Sequence, residues 1–208
     1  MPKLRTALLA PLVLFTATQV SAAIVEMHAA ITHSQEVGTG ATPLTTSTGA
    51  PRPLSYGDGK FVIDTTLDMM TMTVTIYNID VTGTQTPDTF DNLTVAHIHG
   101  PAPVGVAAGV KWGFFGTPFH DTTPTSPPVV PFASGVGGTF TLTWDAPEGV
   151  GGFAANEPGI LAQLYYINFH TVQFGAGEIR GQIVPEPGTL ALLGIGALGF
   201  IGLRRRKT

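Results

Sequence analysis

The chain has 208 residues, with 43% hydrophobic and 12% charged side chains, a formal charge of −4, 26 glycines, 17 prolines and no cysteine. Charge at about half its usual share, beside a normal apolar content, excludes a charged disordered tail and leaves one domain with a real core. So much Gly and Pro disfavours a helical bundle, and the lack of Cys rules out disulfides, thiolate metal sites and a Cys nucleophile.

Residues 1–23 read as a secretory signal. Lys3 and Arg5 form a basic start, Ala7 to Ala17 an apolar stretch, and Val20-Ser21-Ala22 or Ser21-Ala22-Ala23 a small-residue cleavage site. The apolar stretch is too short to span a bilayer, which takes about 20 residues. Ile24 to Ile31 then forms a short apolar segment, followed by a turn-rich region from Gly38 to Gly59. Phe61–Leu67 and Thr71–Tyr77 read as strands, the second alternating Thr with apolar residues, and Asp68-Met69-Met70 is the expected tight connection between them. Further strands are expected at Thr94–His99, Val110–Phe115, Thr139–Trp144, Leu164–Thr171 and Glu178–Val184. The stretch Thr117–Pro131, with Pro118, Pro124, Pro127, Pro128 and Pro131, is expected to stay out of any sheet as a surface excursion. Short strands, Gly/Pro turns and no long amphipathic helix predict an all-β fold for residues 24–183, an antiparallel β-sandwich or barrel.

The C-terminal stretch 184–208 begins Val184-Pro185-Glu186-Pro187-Gly188-Thr189, continues as an apolar run from Leu190 to Leu203 and ends with Arg204-Arg205-Arg206-Lys207. The basic cluster is a stop-transfer flank for a short hydrophobic sorting helix. Motif, apolar run and basic tail closely resemble the PEP-CTERM sorting signal of Gram-negative bacteria. That resemblance implies processing by exosortase near Pro185, Glu186 and Pro187. It also implies transient inner-membrane insertion through 190–203 and a final place at the cell surface or in the extracellular matrix. Gly194, Gly196 and Gly199 satisfy G-x-G-x-x-G, but the run lacks the strand and βαβ unit that a dinucleotide site needs.

Between the signals, from Ile24 to Pro185, four cations face thirteen carboxylates, a net charge of −9 with neutral His. Such a surface repels phosphate backbones and excludes nucleic acid as a partner. No Ser-His-Asp grouping or G-x-S-x-G elbow can be assigned, so no catalytic residue is expected.

Two segments carry the chemistry. In Val95-Ala96-His97-Ile98-His99-Gly100-Pro101-Ala102, His97 and His99 are i and i+2 on a strand and share a face, with Gly100 and Pro101 ending it. In Tyr165-Tyr166-Ile167-Asn168-Phe169-His170-Thr171, Tyr166, Asn168 and His170 share a face. If the two strands are neighbours, His97, His99 and His170 converge. Neutral imidazoles in this arrangement suit copper or zinc, with Asn168 or Glu178 behind them. The competing reading is that these residues only tie strands together. His28, His33 and His120 are expected at the solvent or at strand ends. Glu178 and Arg180 share a face and suit a cross-strand ion pair or hydrogen-bond lock. Trp112, Trp144, Tyr165 and Tyr166 are expected in the core rather than on a sugar.

Ala96-His97-Ile98-His99-Gly100-Pro101-Ala102, the Tyr166–Thr171 block, Gly177-Glu178-Ile179-Arg180-Gly181-Gln182 and the early Gln35-Glu36-Val37 together resemble the CHRD domain, first recognised in chordin. The resemblance spans Met27 to Ile183. It implies an all-β domain, immunoglobulin-like or a barrel, and brings no established catalytic residues. The leading expectation is a non-enzymatic exported surface or matrix protein that binds exopolysaccharide or a surface protein. The alternative is a secreted copper- or zinc-binding protein with redox activity, and a third reading is a hydrolase of matrix polymers.

Overall fold

The computed structural model describes residues 24–123 and 129–186; the expected leader (1–23) and membrane stretch (190–203) lie outside them. The chain is all-β and antiparallel, as its strand pattern predicts. Its strands are β1 (Ile24–Thr32), β2 (Tyr56–Asp64), β3 (Met69–Tyr77), β4 (Leu93–His99), β5 (Val110–Phe115), β6 (Val129–Pro131), β7 (Gly137–Trp144), β8 (Tyr166–Thr171), β9 (Ile179–Gln182) and β10 (Val184–Pro185). They join in one sheet of order β5-β4-β8-β9-β1-β2-β3-β7-β6, with β10 on β1. The sheet is rolled on itself: Trp112 of β5 stacks on Trp144 of β7 at 5.5 Å, although these strands lie near opposite ends of the order. Phe114 of β5 likewise meets Phe140 of β7 and Phe169 of β8, so the large aromatics fill the roll.

On one side of the roll the period of two is clean. β3 buries Met70, Met72, Val74 and Ile76 and turns Thr71, Thr73 and Thr75 outward. β7 buries Phe140, Leu142 and Trp144, and its Thr139, Thr141 and Thr143 lie in register with the threonines of β3. Each large apolar side chain removed from water contributes about 1.5–3 kcal/mol. β8 differs, because all of its residues are buried. Ile167 and Phe169 pack in the core, so Tyr166, Asn168 and His170 on the opposite face must be covered by something other than the sheet.

Three details differ from expectation. The β2–β3 hairpin turns through Thr65–Asp68, because the Asp64 carboxylate accepts the N–H groups of Thr66 (2.9 Å) and Leu67 (3.1 Å) and Asp68 takes a left-handed φ of 51°. Met69 and Met70 therefore belong to β3. The proline-rich excursion returns to the sheet, since β6 pairs with β7 (Val129 with Phe140, Val130 with Thr139); an edge strand tolerates a proline at its end. A helix, α1 (Phe153–Leu161), closes the roll beside Trp144 through the buried Phe153 and Ile160. Gly151 and Gly152 before it and Pro158 within it hide this helix from a periodicity search.

One ion pair is sealed in the fold. Glu178, fully buried, receives Arg52 at 2.5 Å together with the hydroxyls of Ser55 and Thr171. Removing one partner strands a buried charge, so Arg52→Ala should lower the unfolding free energy by about 3–5 kcal/mol, read from the shift in denaturant midpoint. An unchanged midpoint would mean that Glu178 does not depend on the guanidinium.

Candidate metal centre

β4 and β8 are antiparallel neighbours in the sheet, with His97 opposite Asn168, His99 opposite Tyr166 and Val95 opposite His170. The three imidazoles lean together over Asn168: ring centroids are 5.5 Å apart for His97–His99, 5.2 Å for His97–His170 and 6.0 Å for His99–His170. One ring nitrogen from each histidine falls within 4.8 Å of the other two. The rings are 4%, 8% and 7% exposed, so the group is closed off from bulk water.

Each imidazole has one nitrogen committed. His97 Nε2 meets the Thr117 carbonyl at 3.3 Å, His99 Nδ1 the Ala108 carbonyl at 3.0 Å and His170 Nδ1 the Gly175 carbonyl at 3.1 Å. A carbonyl can only accept, so the committed nitrogen carries the proton and the other presents a lone pair. Those other atoms, His97 Nδ1, His99 Nε2 and His170 Nε2, are buried without a hydrogen-bond partner among the described residues. Such atoms are rare in a folded protein and need an explanation.

The three carbonyls come from three loops: 116–120, 100–109 and 172–177. The first loop folds onto the site because residue 113 is glycine; a Cβ there would overlap the Pro118 carbonyl oxygen and press on the His97 ring. The last is admitted by Gly177, whose φ of 129° and missing side chain leave room for Glu36 and Asn168. Thus the proline-rich stretch after Phe115, expected as a plain excursion, begins as part of the cover over His97.

Around the rings the face stays polar. Tyr166 stacks flat on His99 at 5.0 Å and 6°, and the Arg180 guanidinium lies 3.4 Å from the Tyr166 ring centroid. Arg180 sends Nη2 to Gln182 (3.3 Å) and to the Pro103 carbonyl (3.5 Å), while its Nη1 is buried without a partner among the described residues. Glu36 also approaches Arg180 and Asn168, and burial raises its proton affinity. Burial, reinforced by the neighbouring imidazoles, pushes the pKa of His97 down to about 4. Burial does the same to His99, with His170 and Arg180 adding to it. His170 is lowered by burial as well. The rings are therefore neutral, which is the form that ligates metals.

The family model of the CHRD domain matches residues 27–183, about three-quarters of the chain. The chain belongs to the CHRD domain family. A second family model, that of the PEP-CTERM protein-sorting motif, matches residues 184–207. Together they mark an exported protein carrying an exosortase sorting signal. Neither a curated protein nor a solved structure matches the chain. No helix among the described residues is long and apolar enough to cross a membrane; the apolar run 190–203 lies outside those residues.

Within the CHRD domain, the sequence blocks bring His97, His99, His170, Asn168 and Arg180 onto one covered face. Gly100 and Pro101 end β4 and start the loop that holds His99. Glu178 stands apart from the imidazoles, since its carboxylate is taken up by Arg52, Ser55 and Thr171. His33 directly follows the end of β1, but it is buried rather than at the solvent, and its ring bridges the carbonyls of Glu178 (2.6 Å) and Thr42 (2.9 Å). His120 Nδ1 accepts the Gly113 N–H at 3.0 Å, and His28 meets Asp58 at 2.5 Å. Pattern reading passed over Glu36, although it sits in the Gln35-Glu36-Val37 block.

The depressed pKa values have a sign. Between pH 6.5 and 4 the unfolded chain takes up protons that folded His97 and His99 refuse, so metal-free stability falls as pH falls through this window. The loss by pH 4 should be on the order of 3 kcal/mol for each ring. Denaturant unfolding at pH 7 and pH 4.5 should show it, and a His97→Gln, His99→Gln variant should be much less pH-sensitive. Equal sensitivity in variant and wild type would place the effect elsewhere.

Proposed function

We propose that this CHRD protein is a non-enzymatic, exported metal-binding module in which His97, His99 and His170 hold a copper or zinc ion. The observation that carries the reading is that one ring nitrogen from each of these three buried histidines lies within 4.8 Å of the other two, while each ring also keeps a nitrogen with no hydrogen-bond partner among the described residues. A purely architectural trio would have little reason to leave three buried acceptors unsatisfied in rings gathered this closely, since each costs about 1–3 kcal/mol. A metal ion turns that cost into binding energy. The backbone carbonyls on the far nitrogens then do what partners behind metal-bound histidines do: fix the tautomer and hold the ring plane. The sorting motif supports delivery of this module by exosortase to the cell surface or matrix.

Protein isolated without a polyhistidine tag should bind Cu or Zn near stoichiometrically, and His97→Ala and His170→Ala should each abolish this. Stoichiometric binding that survives both substitutions would sink the reading. Affinity should also hold nearly constant from pH 7.5 to pH 5.5, because protons compete for His97 and His99 only as the pH approaches about 4. A steep loss beginning near pH 6.5 would instead indicate solvent-exposed imidazoles as the ligands.

A second reading, association with exopolysaccharide, rests on a different place. A cleft of about 410 Å³ is lined by Thr32, His33, Ser34, Leu54 and Tyr56 among others. Leu54 is 69% and Tyr56 48% exposed, and Tyr56 is braced by stacking on Tyr77 at 4.7 Å. An exposed aromatic ring beside hydroxyls suits a sugar ring. Tyr56→Ala should weaken co-sedimentation with the producing cell's exopolysaccharide by roughly tenfold, and unchanged retention would remove the cleft from consideration.

A further inference from the structure

We propose that the three-histidine centre takes a monovalent ion, Cu(I), in preference to divalent zinc or copper. The inference rests on the metal-binding reading above and concerns the charge that the site tolerates.

The three ligand atoms belong to imidazoles, and among the described residues no carboxylate joins the group that converges within 4.8 Å. The chain has no cysteine, so no thiolate is available. A bound ion would therefore keep its whole charge inside a closed pocket. The cost of moving an ion out of water rises with the square of its charge, so a divalent ion incurs roughly four times the penalty of a monovalent one before compensation. Divalent sites usually offset that penalty with carboxylates, thiolates or a bound water that becomes hydroxide.

The surroundings here act in the opposite direction. Arg180 is 2% exposed, and its guanidinium is stacked on Tyr166, which is itself stacked on His99. This cation stands two ring layers from a ligand, stacked through Tyr166 onto His99. Glu36, the carboxylate that approaches Arg180 and Asn168, is 8% exposed and is not among the groups that converge with the three imidazoles. Glu178 is taken up by Arg52.

Coordination number agrees with charge. Three neutral nitrogens satisfy Cu(I), which accepts two to four ligands without a preferred plane. Cu(II) favours a tetragonal set of N and O donors, and zinc bound by three histidines keeps a fourth position for water. The covered rings offer three donors beneath the loops that bear Thr117, Ala108 and Gly175.

The test is a set of three competition titrations on the protein isolated without a polyhistidine tag. One uses Cu(I) against bicinchoninate under anaerobic conditions, and the others use Zn(II) and Cu(II), each against a chromophoric chelator of known affinity. Cu(I) should bind one ion per chain, at least a hundredfold more tightly than Zn(II), and the copper form should be silent in electron paramagnetic resonance. Zn(II) or Cu(II) bound as tightly as Cu(I) would overturn the preference while leaving the metal site standing. No binding of any of these ions would overturn the site and the preference together. Arg180→Met removes the cation and keeps much of the bulk, and should narrow the gap between Cu(I) and Zn(II) by roughly tenfold. A gap left unchanged in a folded variant would take Arg180 out of the explanation. If that variant does not fold, the wild-type ranking still decides the ion.

Discussion

The bonds from His97, His99 and His170 to the carbonyls of Thr117, Ala108 and Gly175 tie two neighbouring strands to three loops, and much of the domain is organised around them. A sheet whose outer face carries imidazoles, an amide and a guanidinium would ordinarily leave that face wet. Here the loops close over it, so β8 is buried on both faces while β3 and β7 keep outward threonines. Small residues make the closure sterically feasible: Gly113 beneath one loop and Gly177 at the end of another stand where any side chain would collide. The core side of the same strands is held by Ile98, Ile167 and Phe169 against the aromatics of β5 and β7. Sheet register and loop placement thus specify one another.

The same closure sorts the buried charges. Two arginines lie inside the domain, and they are treated differently. Arg52 is neutralised by Glu178 in a fully enclosed pair that fastens the turn-rich segment after β1 to the approach to β9. Arg180 has no such partner and rests against an aromatic ring, with one nitrogen unpartnered. A buried ion pair is mainly a matter of structure. A guanidinium stacked on the ring that covers His99, with Glu36 approaching it rather than pairing with it, sets the electrostatic character of the face it borders.

Much of this was legible in the residues. Alternation of Thr with apolar side chains located β3 and β7, and the i, i+2 spacing of His97 and His99 placed both rings on one face. What period and spacing do not carry is the partner of a strand: that β4 lies beside β8 is a long-range pairing, inferred only from the gain of bringing His170 across. The helix Phe153–Leu161 escaped because its glycines and proline argue against helix locally, and burial of Phe153 and Ile160 overrides them. β6 is not legible because a proline-rich stretch argues against a strand locally, and only its position at the sheet edge makes Pro131 tolerable there. Glu36 and His33 escaped for a simpler reason: a short polar segment after a strand gives no sign of which distant carbonyl or amide it will meet.

The three covering loops also bear on time. An ion seated among the imidazoles would lie under segments fastened to the ligands' own rings, so neither entry nor escape could occur without breaking at least one of those fastenings. Exchange would then follow the opening of a loop rather than diffusion, and residence would be long compared with that of an ion on an open surface. With an ion in it, such a centre would behave as a reservoir, filled once and carried outward with the protein, rather than as a courier passing its cargo from hand to hand.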